Sequence, residues 1–153
     1  MYKTIRIRKA LAGAMAAVMA VAASGGLALG VIAAVQADAE AKVEDRIDLP
    51  IIMYHGLLKE EKRQGQFIIS PNLFEQDLRY LQENGYTTVV IADLIAYVQD
   101  GKPLPEKPVM LTFDDGYDDN YTELFPLLQK YNAKATIFVI PKAIGTPHKM
   151  TAE

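Results

Sequence analysis

Two adjacent carboxylates, Asp114 and Asp115, stand at the end of an apolar run over residues 109–113 and are followed at once by Gly116. Consecutive residues on a strand point to opposite faces, so the pair would normally diverge. Gly116 permits a sharp turn that brings both to one rim. Two carboxylates placed there can divide the work: one ligates a divalent cation while its neighbour acts as a base on a water molecule. A second reading of the same residues is that they cap the following loop and helix, as Asp118 and Asp119 would for a helix beginning near Tyr121. The rest of the reactive inventory is small. There is no Cys, which removes disulfides, thiolate nucleophiles and thiolate metal sites, and the two histidines, His55 and His148, are 93 positions apart.

Other carboxylate chemistries fail on spacing. A phosphatase of the haloacid-dehalogenase type needs an Asp where Gly116 stands, and a calcium loop of the EF-hand type needs alternating acids before its glycine. No phosphate-cradling glycine loop, dinucleotide fingerprint or Gly-x-Ser-x-Gly elbow is present.

The elements that must position these residues alternate along the chain. Leu49-Pro-Ile-Ile-Met-Tyr54 is a short apolar run suited to a buried strand, closed by His55-Gly56. Residues 59–66 are polar. Ser70 followed by Pro71 announces a helix, with Leu73, Phe74, Leu78 and Leu81 at helical spacing and Asn84-Gly85 as its stop. Strands are expected over residues 87–91, 109–113 and 135–140, and helices over 93–98 and 121–131. Strands alternating with helices predict an α/β fold with a parallel sheet or barrel.

Ahead of this lies different material. The first 37 residues contain no acid, and their charges are Lys3, Arg6, Arg8 and Lys9; the remainder, with 12 basic and 19 acidic residues, has a net charge of −7. That balance excludes a nucleic-acid partner, which calls for clustered Lys and Arg. Residues 10–35 are uncharged and rich in Ala, Val, Leu and Met. Their length suffices for a membrane-spanning helix, while Val35-Gln36-Ala37 and Ala37-Asp38-Ala39 offer small residues where a signal peptidase cuts. Residues 1–37 are therefore expected to be a signal peptide or membrane anchor built on an N-terminal hydrophobic helix. Residues 38–48, alternating in sign, are expected to be a linker, and the chain beyond is expected outside the cell.

Thr112-Phe-Asp-Asp-Gly-Tyr117 at the end of an apolar strand resembles the first signature of the polysaccharide deacetylases, the NodB-homology or carbohydrate esterase family four. Leu49-Pro-Ile-Ile-Met-Tyr-His55 is similar to the opening strand of its poly-N-acetylglucosamine and peptidoglycan branches. Phe67, the helix carrying Phe74, Asn84-Gly85-Tyr86, the loop holding Pro105 and Pro108, and Lys134-Ala-Thr-Ile-Phe-Val139 follow in the same order. The resemblance covers about residues 49–143.

The resemblance implies a deformed (β/α) barrel that removes acetyl groups from acetylated polysaccharides of the peptidoglycan or poly-N-acetylglucosamine type, using a divalent metal, zinc above all. It makes Asp114 the general base and Asp115 a metal ligand, and it puts His55 and Tyr117 near the substrate. The family completes its metal site with two histidines four apart, and no such pair exists among these 153 residues. Residues 49–153 are accordingly expected to be the N-terminal portion of such a domain, an incomplete barrel without activity of its own. A different expectation is a membrane-tethered, non-catalytic carbohydrate-binding or interaction module, with Tyr54, Tyr86, Tyr97 and Tyr117 as stacking faces for sugars.

Overall fold

The computed structural model describes residues 2–8 and 46–152. Residues 10–35 and the cleavage motifs that follow them lie outside the described residues, as do residues 38–45 of the expected linker. Tyr2–Arg8, which includes most of the basic cluster, forms a strand (β1), and Arg46–Tyr54 forms the next (β2), so strand structure begins three residues before Leu49. No helix among the described residues is long and apolar enough to cross a membrane.

The main sheet is built around one strand, β6 (Pro108–Asp115). β2 pairs parallel with it on one side, Tyr54 opposite Phe113. On the other side β5 (Thr87–Val89) pairs parallel with its first half and β7 (Thr136–Val139) with its second. β1 pairs antiparallel with the outer edge of β2. The described strands thus form an open five-stranded sheet, and a two-residue parallel ladder of β3 (Gly56–Leu57) and β4 (Ile68–Ile69) lies beyond β2. The α/β class expected from the alternation is the class observed.

Six consecutive residues of β6, from Pro108 to Phe113, are buried or nearly so, as expected of a parallel strand covered on both faces. Val109, Leu111 and Phe113 face Phe74, Leu78 and Leu81 of helix α1 (Pro71–Glu83), together with Tyr54 and Leu124. On the opposite face Met110 packs with Leu49 and Val89, flanked by Leu94 of helix α2 (Ile91–Asp100) and by Leu104.

Local chemistry sets the element ends. The Ser70 side chain accepts a hydrogen bond from the Leu73 N–H at 3.1 Å, capping α1, with Pro71 at its first position. β5 stops at Val89 rather than 91 because Val90 is already the N-cap of α2, its N–H donating to Asp93 Oδ2 at 2.9 Å. The helix expected over 121–131 divides in two. Asn120–Leu124 is a π-helical turn in which the Phe125 N–H reaches back five residues to the Asn120 carbonyl, and α3 (Phe125–Lys130) follows. Pro126 explains the widening: it has no N–H for a normal helical bond, and its ring crowds the carbonyl four residues back.

Candidate active site

The C-terminal end of β6 is where the reactive residues meet. The register Tyr54 opposite Phe113 sets His55 beside Asp114 at the same edge of the sheet. Phe113 and Tyr54 stack at 5.1 Å on the side of α1, so Asp114 and His55, each one residue on, turn towards the other face. Asp115 and Gly116 then both adopt left-handed backbone, with φ of 72° and 61°. The expected sharp turn is present, but its left-handed geometry begins at Asp115 and not at the glycine alone. Gly116 is required for a second reason: a Cβ there would sit 2.9 Å from Val139 Cγ1 on β7.

Asp114 and Asp115 are both half-buried, and neither carboxylate has a hydrogen-bond or ion-pair partner among the described residues. Neither caps the π turn or α3, whose N-caps carry no side-chain hydrogen bond. Asp119 does not cap either. Its Oδ1 instead accepts the Leu57 N–H at 3.0 Å, and its carboxylate fills the space that a side chain on Gly56 would take, 2.7 Å from that ideal Cβ. Burial pushes the Asp119 carboxyl above its ordinary range, against the pull of the Leu57 N–H, with Asp118 and Glu123 adding to the rise. Asp119 thereby fastens the turn after His55 to the segment after Asp115. Its neighbour Asn120 is 1 % exposed.

His55 is held by its backbone N–H, which donates to the Phe67 carbonyl at 2.8 Å, and by its ring, stacked on Phe67 at 5.0 Å. Its Nδ1 is buried and has no partner among the described residues. Tyr117 is half-buried beneath Lys149, whose ammonium lies 3.4 Å from the ring centroid. Lys149 also donates to the Asp115 carbonyl at 3.0 Å. Nothing in the sequence marked Lys149 or Asp119 for these contacts, because both depend on segments brought together only by folding. The His148 side chain is exposed, and only its backbone carbonyl reaches the site, accepting the Asp118 N–H at 3.2 Å.

The tyrosines do not form a stacking platform. Tyr54 and Tyr97 are 7 % and 5 % exposed, and Tyr54 is wedged between Phe74 and Phe113 with its hydroxyl on Asp77 Oδ2 at 2.9 Å. The face of Tyr117 is taken by Lys149, and Tyr86 is half-buried with the Lys107 ammonium 5.9 Å from its ring.

As a cation site the turn fits in part. Two unpartnered carboxylates at one rim are suitable oxygen donors, yet a catalytic zinc takes three protein ligands, and no group of three His, Cys, Asp or Glu is assembled among the described residues.

A family model described as polysaccharide deacetylase matches residues 101–153. The putative polysaccharide deacetylase YxkH of Bacillus subtilis is 43% identical over 114 residues, which are 73% of this chain and 39% of that protein. The poly-beta-1,6-N-acetyl-D-glucosamine N-deacetylase of Escherichia coli K12 is 38% identical over 96 residues, 63% of this chain and 14% of that one. Among solved structures, the Streptococcus pyogenes deacetylase PplD in complex with acetate aligns with a TM-score of 0.57 at 33% identity, covering 66% of this chain and 47% of that one. IcaB from Ammonifex degensii aligns at 0.56 and 31%, covering 66% and 43%. The chain therefore spans well under two thirds of each of these relatives.

Proposed function

We propose, on the premise that residues 101–153 are part of a polysaccharide deacetylase domain, that this chain supplies the base-bearing part of a hydrolase acting on the carbon–nitrogen bond of N-acetylated cell-wall or exopolysaccharide sugars. The observation that carries this reading is the pair of unpartnered carboxylates on a left-handed turn at the C-terminal end of the central parallel strand. Strand ends of this kind are where parallel α/β folds bind ligands. The strands of the sheet are read as part of a deformed (β/α) barrel, and residues 10–35 as the segment that takes the domain out of the cell, by anchor or cleaved signal.

In the reaction, Asp114 removes a proton from the attacking water as its oxygen bonds to the acetyl carbon. The carbon–nitrogen bond then breaks as the nitrogen takes up the proton that Asp114 removed from the water, and the sugar amine and acetic acid leave, the acid giving its own proton to the amine in solution. Asp115 is the residue that would hold a divalent cation, zinc in our reading. When bound, such a cation polarises the acetyl carbonyl and stabilises the negative charge that develops on its oxygen. His55 and Tyr117 border the substrate. With Nδ1 buried, whatever His55 offers to a sugar comes from the remaining edge of its ring.

The 153 residues hold two histidines 93 positions apart, and we read the chain by itself as inactive for want of further ligands. Acetate release from an N-acetylated glucosamine oligomer tests both parts. The chain alone with Zn²⁺ or Co²⁺ is expected to release none. Residues 49–153, grafted in place of the matching segment of the E. coli N-deacetylase, are expected to release acetate and to lose at least about 10²-fold in rate on Asp114→Asn. Tight stoichiometric zinc binding with turnover by the chain alone would overturn the inactivity. A folded but silent graft would overturn the deacetylase reading.

A further inference from the structure

The turn that carries Asp114 and Asp115 is costly on local grounds. Asp115 has a φ of 72°, a region uncommon for residues other than glycine although Asp enters it more readily than most, and Gly116 continues it at 61°. Contacts from outside support the turn: Asp115 pairs with Val139 on β7, and a second segment packs along it. Residues 145–150 fold back on themselves, the Gly145 N–H donating to the Met150 carbonyl at 2.9 Å and the Lys149 N–H to the Thr146 carbonyl at 3.1 Å. This closed loop lies along the turn. The Met150 N–H donates to the Gly116 carbonyl at 2.9 Å, the Asp118 N–H to the His148 carbonyl at 3.2 Å, and Tyr117 and Lys149 form an antiparallel bridge.

From this strap one side chain reaches into the turn. Lys149 Nζ donates to the Asp115 carbonyl at 3.0 Å and sits 3.4 Å from the centroid of the Tyr117 ring. One ammonium thus grips the peptide leaving Asp115 and the side chain two residues on, fixing both ends of the left-handed pair. The contacts it makes are with a carbonyl and a ring, not with either carboxylate, so it orders the turn while leaving both carboxylates free to accept a proton or a cation.

We infer that Lys149 is a positioning residue, which holds Asp115 in its left-handed conformation and so aims the Asp115 carboxylate. The cation-binding part of this inference rests on the deacetylase reading; the conformational part does not. The test is nuclear magnetic resonance on the full 153-residue chain, with Lys149→Met, Lys149→Arg and Tyr117→Leu beside the parent. In the parent, the ε-methylene protons of Lys149 are expected to be shielded by the Tyr117 ring, and the shielding to vanish in Tyr117→Leu. Lys149→Met is expected to shift the Asp115 Cα and Cβ resonances from left-handed to ordinary values, and to weaken Mn²⁺ binding, read as line broadening at Asp114 and Asp115, about tenfold. Lys149→Arg, which keeps a cationic donor, should restore both.

If Lys149→Met leaves the Asp115 resonances left-handed, the inference is wrong. Unshielded Lys149 protons in the parent refute it equally, even if the methionine variant fails to fold. If Mn²⁺ broadens neither aspartate in the parent, the metal-site reading fails, and the backbone resonances alone decide the positioning role.

Discussion

Asp119 shows how one buried carboxylate can make stability depend on pH. Because burial raises its folded pKa above the unfolded value, the stability it contributes is full below the unfolded pKa and is lost as pH rises through the raised folded value. Asp119→Asn keeps an acceptor for the Leu57 N–H without the charge. The urea midpoint of that variant should therefore vary less with pH than that of the parent, a difference visible in a titration across the weakly acidic range. Asp119→Ala leaves the Leu57 N–H buried and unpaired, and equilibrium unfolding should report a loss of about 1–3 kcal/mol. Gly116 is constrained twice, by φ and by Val139. Gly116→Ala should cost about 1–3 kcal/mol in the same measurement, and a stability equal to the parent's would mean that β7 withdraws from the turn. The paired aspartates were legible in the sequence as a rim motif. That the left-handed geometry starts at Asp115, and that Asp119 bonds to β3, were not, because each is fixed by a partner more than 20 positions away.

At the scale of elements, the clearest signals were the ones that close over a few residues. Ser70 and Pro71 located the start of α1 because the cap bond spans three positions. Ser70→Ala should lower stability by about 1 kcal/mol, read as a shift in denaturant midpoint with unchanged slope. Elsewhere local preference yielded to context. β-branched residues at 87–91 favoured a strand to Ile91, but Asp93 captures the Val90 N–H and starts α2. The apolar stripe near Leu124, Leu127 and Leu128 announced a helix without showing that Pro126 would open its first turn into a π turn. The ladder of β3 and β4 gave no signal at all, since strands of two residues are shorter than any period that could reveal them.

For the whole molecule, one run of exposed apolar side chains among the described residues lies in and just after β7. Phe138, Val139 and Ile140 are 36–49 % exposed, Ile144 41 %, and among the described residues β7 pairs with β6 alone. A bare edge with apolar side chains is a template for association. The parent chain is expected to self-associate in sedimentation velocity as concentration rises, and the pair Ile140→Lys and Ile144→Lys to shift it towards monomer. An unchanged distribution would place the contact elsewhere.

The sequence by itself determined the α/β class, the order of the principal strands and helices, the Asp114–Asp115 pair at a strand end, and the absence of a histidine pair, because these depend on periodicity, short-range caps and residue counts. Tertiary structure alone decided which groups surround the pair. The Tyr54–Phe113 register brings His55 to Asp114, the Gly56–Asp119 contact ties the two loops together, and Lys149 crosses from position 149 to the Asp115 carbonyl. These contacts have no local period. Each is selected by the packing of β6 between two covered faces, and becomes visible only when the strands are laid side by side.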